Sequence, residues 1–138
     1  MRYIGFTGTR SGMSHKQAVN LFKALAVEAK SDEITGVHGG CIGADIQFHK
    51  MCKLLGFKVE VFPGHPKGKP DDDSMMGDFS DADVIHPSNS YFARNRSIVD
   101  KVNVMYATPY NTEEGPGGTW YTIKYSRGKV DELTILSR

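Results

Sequence analysis

Three glycine-rich turns constrain this chain more than any other feature. Each sits where a short β-type run gives way to a helical pattern. They are Gly8-Thr9-Arg10-Ser11-Gly12, Gly39-Gly40-Cys41-Ile42-Gly43 and Gly115-Pro116-Gly117-Gly118-Thr119. A glycine carries no Cβ, so at such a turn the backbone itself can approach a ligand. The helix that follows directs unpaired N–H groups and a partial positive charge at any anion placed there. One such turn says little; three in one short chain suggest backbone amides gathered around a phosphate-bearing ligand.

The pattern around the turns alternates strand and helix. Residues 2–7, 34–38, 58–62, 83–86, 102–107 and 133–136 read as strands, the stretch 102–107 being β-branched enough for a buried parallel strand. Helices are expected after the N-cap Ser14 to about Lys30, over 44–55 with Gly56 as C-cap, over 91–101 and over 119–126. Ala18, Leu21, Phe22, Leu25 and Ala26 make an apolar face on the first helix; Ile46, Met51, Leu54 and Leu55 are the expected packing residues of the second. Pro63 to Asp73 reads as an irregular loop, followed by a helical turn near Ser74–Phe79. Alternating elements predict an α/β protein with a mostly parallel sheet between two helix layers. In such sheets ligands bind beyond the carboxyl ends of the strands, where all three turns lie.

The 138 residues fit one domain spanning 1–138, with 39% hydrophobic and 24% charged residues, a soluble globular composition. A formal net charge of +1 exerts no bulk pull toward nucleic acid or membrane, so any basic site must be local. Cys41 and Cys52 are too far apart for a C-x-x-C motif and read as free thiols of a reduced compartment. No apolar run approaches the roughly 20 residues that span a bilayer, and no signal peptide is evident, so a cytoplasmic protein is expected. His65 and His86 have no partner at metal-ligand spacing, and Asp71, Asp72 and Asp73 read as a solvated acidic loop; no metal and no cofactor is expected.

In the first turn, Gly8, Thr9 and Arg10 are the candidate contacts, Arg10 as a bidentate phosphate donor. The spacing is neither G-x-G-x-x-G nor a Walker A loop. In the second, Gly39, Gly40 and Gly43 would admit the ligand, while Asp45 is either a helix cap or a partner for ligand hydroxyls. His49 reads as a packing or hydrogen-bonding residue. Phe92-Ala93-Arg94-Asn95-Arg96 opens a helix with two arginines that cannot share one face, so one reaches the cleft while the other is solvated or paired. Asn95 fixes a turn or touches the ligand. In the third turn, Gly117, Gly118 and Thr119 form another cradle; Trp120 reads by default as a core residue, with base stacking as the alternative.

Taken together, His38-Gly39-Gly40-Cys41-Ile42-Gly43-Ala44-Asp45 with His49, Phe92-Ala93-Arg94-Asn95-Arg96, and the last Gly-Gly-Thr turn resemble the DprA/Smf and LOG superfamily, often called SLOG. The resemblance spans nearly the whole chain. It implies a Rossmann-like domain that binds nucleotides, nucleotide-derived signals or single-stranded DNA. LOG-type enzymes hydrolyse the N-glycosidic bond of nucleoside monophosphates and carry a glutamate in P-G-G-x-G-T-x-x-E. Here Pro116-Gly117-Gly118-Thr119 is followed by Trp120 to Lys124 with no acid, so catalysis would need Glu113, Glu114 or Asp45. DprA-type proteins usually carry an arginine where this chain has Ile42, which removes a phosphate contact expected for DNA. The expected function is therefore that of a stand-alone module, a sensor or sequestering protein for a nucleotide or nucleotide derivative. The alternatives are an N-glycosidase and a single-stranded DNA binder. Pairing into a homo-oligomer is expected by family analogy.

Overall fold

Ile4 and Phe6 alternate with Tyr3 and Gly5 along the first strand, so its two faces present different shapes to two helix layers. The computed structural model describes residues 1–31, 33–111 and 113–138. Its elements run β1 (Arg2–Gly8), α1 (His15–Glu28), β2 (Ile34–His38), α2 (Ala44–Leu54), β3 (Lys58–Val61), β4 (Gly64–His65), β5 (Val84–Ile85), β6 (Asn89–Ser90), α3 (Tyr91–Lys101), β7 (Val104–Thr108), α4 (Gly118–Ser126) and β8 (Glu132–Ile135). Six strands form one sheet in the order β5-β3-β2-β1-β7-β8, and β4 pairs with β6 in a separate ribbon. Every pairing in the six-stranded sheet is parallel.

The sheet is covered on both faces. On one side Ile4, Phe6, Val59 and Val104 pack against Leu21 and Leu25 of α1 and Phe48 and Cys52 of α2. Phe6 and Phe48 stack with centroids 4.7 Å apart, and removing a fully buried ring of this kind costs about 3–5 kcal/mol. On the other side Val37 and Met105 meet Ile98 and Val99 of α3, while Ala107 meets Trp120 and Ile123 of α4. The result is the three-layer α/β/α architecture expected from the alternation. The strand order reverses direction between β1 and β7, so their carboxyl ends, Gly8 and Thr108, open a crevice at the switch point.

Local expectations fare unevenly. Ser14 caps α1 in a full capping box with Gln17, and α2 closes at Leu55 with Gly56 following at φ 76°. In α2 Ile46 and Met51 pack against the core as expected, as does Leu55 at its end, but Phe48 and Cys52 are the fully buried apolar anchors and Leu54 is 78% exposed. Phe22 is likewise exposed on α1. The segment 74–79 is not helical: Met76 forms an antiparallel bridge with Cys41, and Phe79 is buried in the core. The strand expected at 102–107 starts at Val104, because Val102 caps α3. The loop after Pro63 contains β4, whose pairing with β6 holds the start of α3 beside it.

Candidate functional site

A cavity of about 540 Å³ lies at the carboxyl ends of β1 and β7, within the range of small-molecule sites. The first turn forms one wall. Thr9 spends its hydroxyl inside the turn, on Ser11 Oγ (3.0 Å) and the Gly12 carbonyl (3.3 Å). Its carbonyl accepts the Ala44 N–H at 2.9 Å. Arg10 is exposed and lines the cavity, its guanidinium 5.2 Å from the centre of the Tyr91 ring. Among the described residues its side-chain donors meet no acceptor.

The second turn is built differently from the expected cradle, because its amides are already in use. Gly40 N–H donates to His38 Nδ1 (2.9 Å), Cys41 N–H to Asp45 Oδ2 (3.1 Å), and Ile42 N–H to the Met75 carbonyl (2.9 Å). Gly39 lines the cavity, but Gly40 and Gly43 do not. At Gly40 a Cβ would meet Met76 and Val61, on the core side. Gly43, at φ 91°, is pressed against the first turn: a Cβ there would fall 2.7 Å from Arg10 Cα. These two glycines serve loop-on-loop packing rather than an approach to the cleft.

Arg94 explains why Gly39 must be small. The side chain is 5% exposed and runs beneath the second turn. Its Nη1 donates to the Gly39 carbonyl (2.5 Å) and the Phe62 carbonyl (3.1 Å), its Nε to Asn95 Oδ1 (2.7 Å), and its Nη2 to Cys41 Sγ (3.5 Å). Of the two arginines, Arg94 is thus the one at the cleft, but its donors are spent on the protein. Arg96 does not line the cavity; it is exposed and donates to Tyr121 Oη at 2.8 Å. Because Asn95 Oδ1 accepts from Arg94, its amide NH2 faces the other way, toward Gly118 Cα: a Cβ built there would stand 3.7 Å from Nδ2.

Asp45 is 8% exposed and lines the cavity. Burial raises its carboxyl to about 6, against the pull of Arg94 and the N–H groups of Cys41 and Gly39. It is the only carboxylate on the cavity wall among the described residues. Glu113 and Glu114 are exposed and off the wall, and Glu114 pairs with Arg127. Burial, with Asp45 nearby, also raises the Cys41 thiol, so this sulfur stays protonated at neutral pH.

The third turn supplies the free amides. Gly117 stands at the N-cap of α4 at φ 110°, and among the described residues no side chain caps the helix. Gly117, Gly118 and Thr119 all line the cavity. Thr119 Oγ1 donates to the Gly8 carbonyl at 3.0 Å, which brings the first and third turns together as one site. Sequence reasoning missed the rest of the wall: Tyr91, Phe92, Tyr110 and Lys67. The aromatic residues around the third turn and at the start of α3 were the available signal; Lys67 comes from a loop whose path depends on the β4–β6 ribbon. Trp120 is both core and wall, 7% exposed and lining the cavity, with its Nε1 donating to the Asn111 carbonyl at 3.2 Å.

The fold and the position of the crevice define a doubly wound, Rossmann-like α/β protein. More particularly, it shares its fold with solved structures that include DprA and two molybdenum cofactor proteins. The molybdenum cofactor binding protein of Rippkaea orientalis superposes with a TM-score of 0.71 at 15% identity, over 99% of this chain and 77% of that one. DprA of Streptococcus pneumoniae superposes with a TM-score of 0.69 at 15% identity, over 98% of this chain and 50% of that one. The molybdenum cofactor carrier protein of Chlamydomonas reinhardtii gives 0.63 at 20% identity, over 99% and 78%. No family model matches the sequence, and neither does any curated protein at a significant level. No helix among the described residues is long and apolar enough to cross a membrane.

Proposed function

We propose that this protein binds a nucleotide or a nucleotide-derived phosphorylated molecule in the crevice between β1 and β7. The observation that carries this reading is the uncapped N-terminus of α4, opening beside the first turn into a cavity of ligand size. Gly117, Gly118 and Thr119 offer amides to a phosphate, the Asn95 amide adds a donor beside Gly118, and Arg10 and Lys67 balance the charge. Tyr91, Phe92, Tyr110 and Trp120 supply flat walls for a heterocycle. The second turn contributes shape and the Asp45 carboxylate, suited to a ligand hydroxyl or amino group, rather than a second cradle. Two of the likened structures are named for a molybdenum cofactor, which agrees with a small-molecule site and leaves the heterocycle open.

Calorimetric and thermal-shift titration with AMP, ADP, ADP-ribose, cyclic AMP and adenosine tests the reading. Phosphorylated ligands are expected to raise the melting temperature and adenosine is not. No stabilisation by any of them, with an empty cleft in a soaked crystal, would sink it.

Asp45 favours one second reading. A buried carboxyl raised to about 6 beside a bound ribose is placed for acid–base chemistry at an N-glycosidic bond. That reading predicts release of free base from a nucleoside monophosphate, abolished in Asp45→Asn. With Arg94 spent on the protein and Arg96 off the wall, single-stranded DNA binding is the weaker alternative.

A further inference from the structure

His38, His49 and Asp81 form a hydrogen-bonded chain that leads from the protein surface to the second glycine turn. His49 Nε2 lies 2.7 Å from Asp81 Oδ1, His49 Nδ1 lies 2.9 Å from His38 Nε2, and the Gly40 N–H donates to His38 Nδ1 at 2.9 Å. The Gly40 amide can only donate. His38 Nδ1 is therefore an acceptor, and the neutral ring carries its hydrogen on Nε2. That hydrogen makes His49 Nδ1 an acceptor in turn, so His49 carries its hydrogen on Nε2 and donates to the Asp81 carboxylate. One proton arrangement satisfies all three bonds: two neutral imidazoles and an ionised Asp81.

A proton added to either imidazole breaks the chain. On His49 Nδ1 it would face the Nε2–H of His38 across 2.9 Å. Shifting the His38 hydrogen to Nδ1 relieves that clash but sets it against the Gly40 N–H. His38 is 0% exposed and His49 5% exposed, so water cannot repair either loss. Phe48 and Phe79 pack around His38, and Phe79 also packs against His49. The charged groups nearby are few. Arg94 opposes a positive charge on His38. Asp81 faces His49, with Lys53 near it and bridged to Asp83 at 3.8 Å. Asp45, one turn before His49, is engaged by the Cys41 amide.

We propose that this chain is a proton-operated latch that positions the second glycine turn: neutral imidazoles hold the turn in place, and proton uptake releases Gly40 and loosens the cleft. Gly40 is joined to the rest of the site through its neighbours, since the Gly39 carbonyl holds Arg94 and the Cys41 N–H holds Asp45. Release of the turn therefore loosens one wall of the cavity. The direction with pH follows from burial. Desolvation, then His49 and Arg94, hold His38 well below its ordinary 6.5. Its contribution is fully present above that ordinary value and is lost as the pH falls below it. Coupling to ligand affinity rests on the nucleotide reading above; the latch itself does not.

Nitrogen-15 NMR of uniformly labelled protein between pH 8 and pH 4.5 tests the latch without any ligand. Both imidazoles are expected as Nε2–H tautomers at pH 8. On acidification the Gly40 amide and Arg94 Nε signals should move with the same midpoint as the His38 imidazole. An Nδ1–H tautomer at pH 8, or a Gly40 amide that stays still while His38 titrates, overturns the proposal. Asp81→Asn, a change at an exposed position, replaces a charged acceptor by a neutral one, so the His49 Nε2–H resonance is expected to move at pH 8; an unmoved resonance counts against the chain. His38→Asn keeps an acceptor for the Gly40 amide and cannot titrate, so the amide should no longer shift with pH. If that variant does not fold, His49→Asn keeps an acceptor for His38 but removes the neighbour that opposes a charge on it, so the pH shift of the Gly40 amide should move to higher pH; an unmoved shift overturns the proposal. As a separate arm, affinity for ADP should fall across the midpoint about tenfold or more further in the wild type than in His38→Asn, in which Asp45 still titrates at the wall. Absence of ADP binding at every pH rejects the nucleotide reading while the NMR result stands.

Discussion

Thr119 Oγ1 donates to the Gly8 carbonyl at 3.0 Å across 111 residues of sequence. This one bond ties the first and third turns into one wall of the cavity. Thr119→Val keeps the shape of the side chain and removes the donor, leaving a carbonyl half-satisfied. Urea denaturation is expected to show a loss of about 1 kcal/mol. Affinity for phosphorylated nucleotides should drop as well. A variant of unchanged stability and affinity would show that the two turns do not act together.

Arg10 and Arg96 should separate cleanly. Arg10 lines the cavity with unspent donors, whereas Arg96 is engaged with Tyr121 outside it. A charge-assisted contact is worth about 1.5–3 kcal/mol, so Arg10→Ala is expected to weaken nucleotide binding by roughly tenfold or more. Its melting temperature should stay within a degree or two of the wild type, since the side chain is exposed. Arg96→Ala should leave affinity unchanged in the same calorimetric assay.

Arg94 is expected to behave as a structural residue. Its guanidinium is buried and satisfies the carbonyls of Gly39 and Phe62 together with Asn95. Arg94→Ala strands those acceptors and leaves Asp45 without its nearest positive charge, at an expected cost of about 3–5 kcal/mol. Gly39→Ala should be destabilising through the same contact, because its Cβ would fall 2.7 Å from Arg94 Cζ. Chemical denaturation in the absence of ligand checks both; an Arg94→Ala protein of wild-type stability would falsify this assignment.

Asp45 gives a pH signature opposite in sign to that of His38. Its folded value of about 6 lies above the ordinary 3.8, so the folded state holds the proton more tightly than the unfolded chain. The favourable contribution is fully present below pH 3.8 and is lost as the pH rises through about 6. The ionised group at pH 8 is thus a burden of about 3 kcal/mol. Asp45→Asn retains an acceptor for the Cys41 N–H and is expected to be more stable than the wild type at pH 8, by about 1–3 kcal/mol, and close to it at pH 4. Paired urea curves at the two values decide the matter.

The layer architecture and the parallel sheet were legible because hydrophobic alternation and helical spacing are local properties. The site was legible only in part. Gly117, Gly118, Thr119, Gly8, Thr9 and Arg10 could be picked out since a glycine turn before a helix has one dominant reading. The second turn looked the same in one dimension yet differs in three. Its amides are consumed by His38, Asp45 and Met75, partners that only tertiary packing brings to it. The direction of Arg94 was ambiguous for the same reason: helical spacing separates it from Arg96, but which of them points inward depends on Gly39 leaving room beneath the turn. The burial of Phe48 in place of Leu54 reflects ring stacking with Phe6, a contact that no helical period encodes.

The position of β1 in the sheet has a consequence for how the chain comes off the ribosome. β1 is made early and finds β2 soon after, its residues 2–5 pairing with 34–37. Its other edge pairs with residues 104–108, so it stays open until that segment has been synthesised. An unpaired strand edge is a template for misassociation. The nascent protein therefore passes through an interval in which four of the six strands of its sheet exist without the neighbour that closes them, and the crevice at Gly8 and Thr108 is formed only when that interval ends.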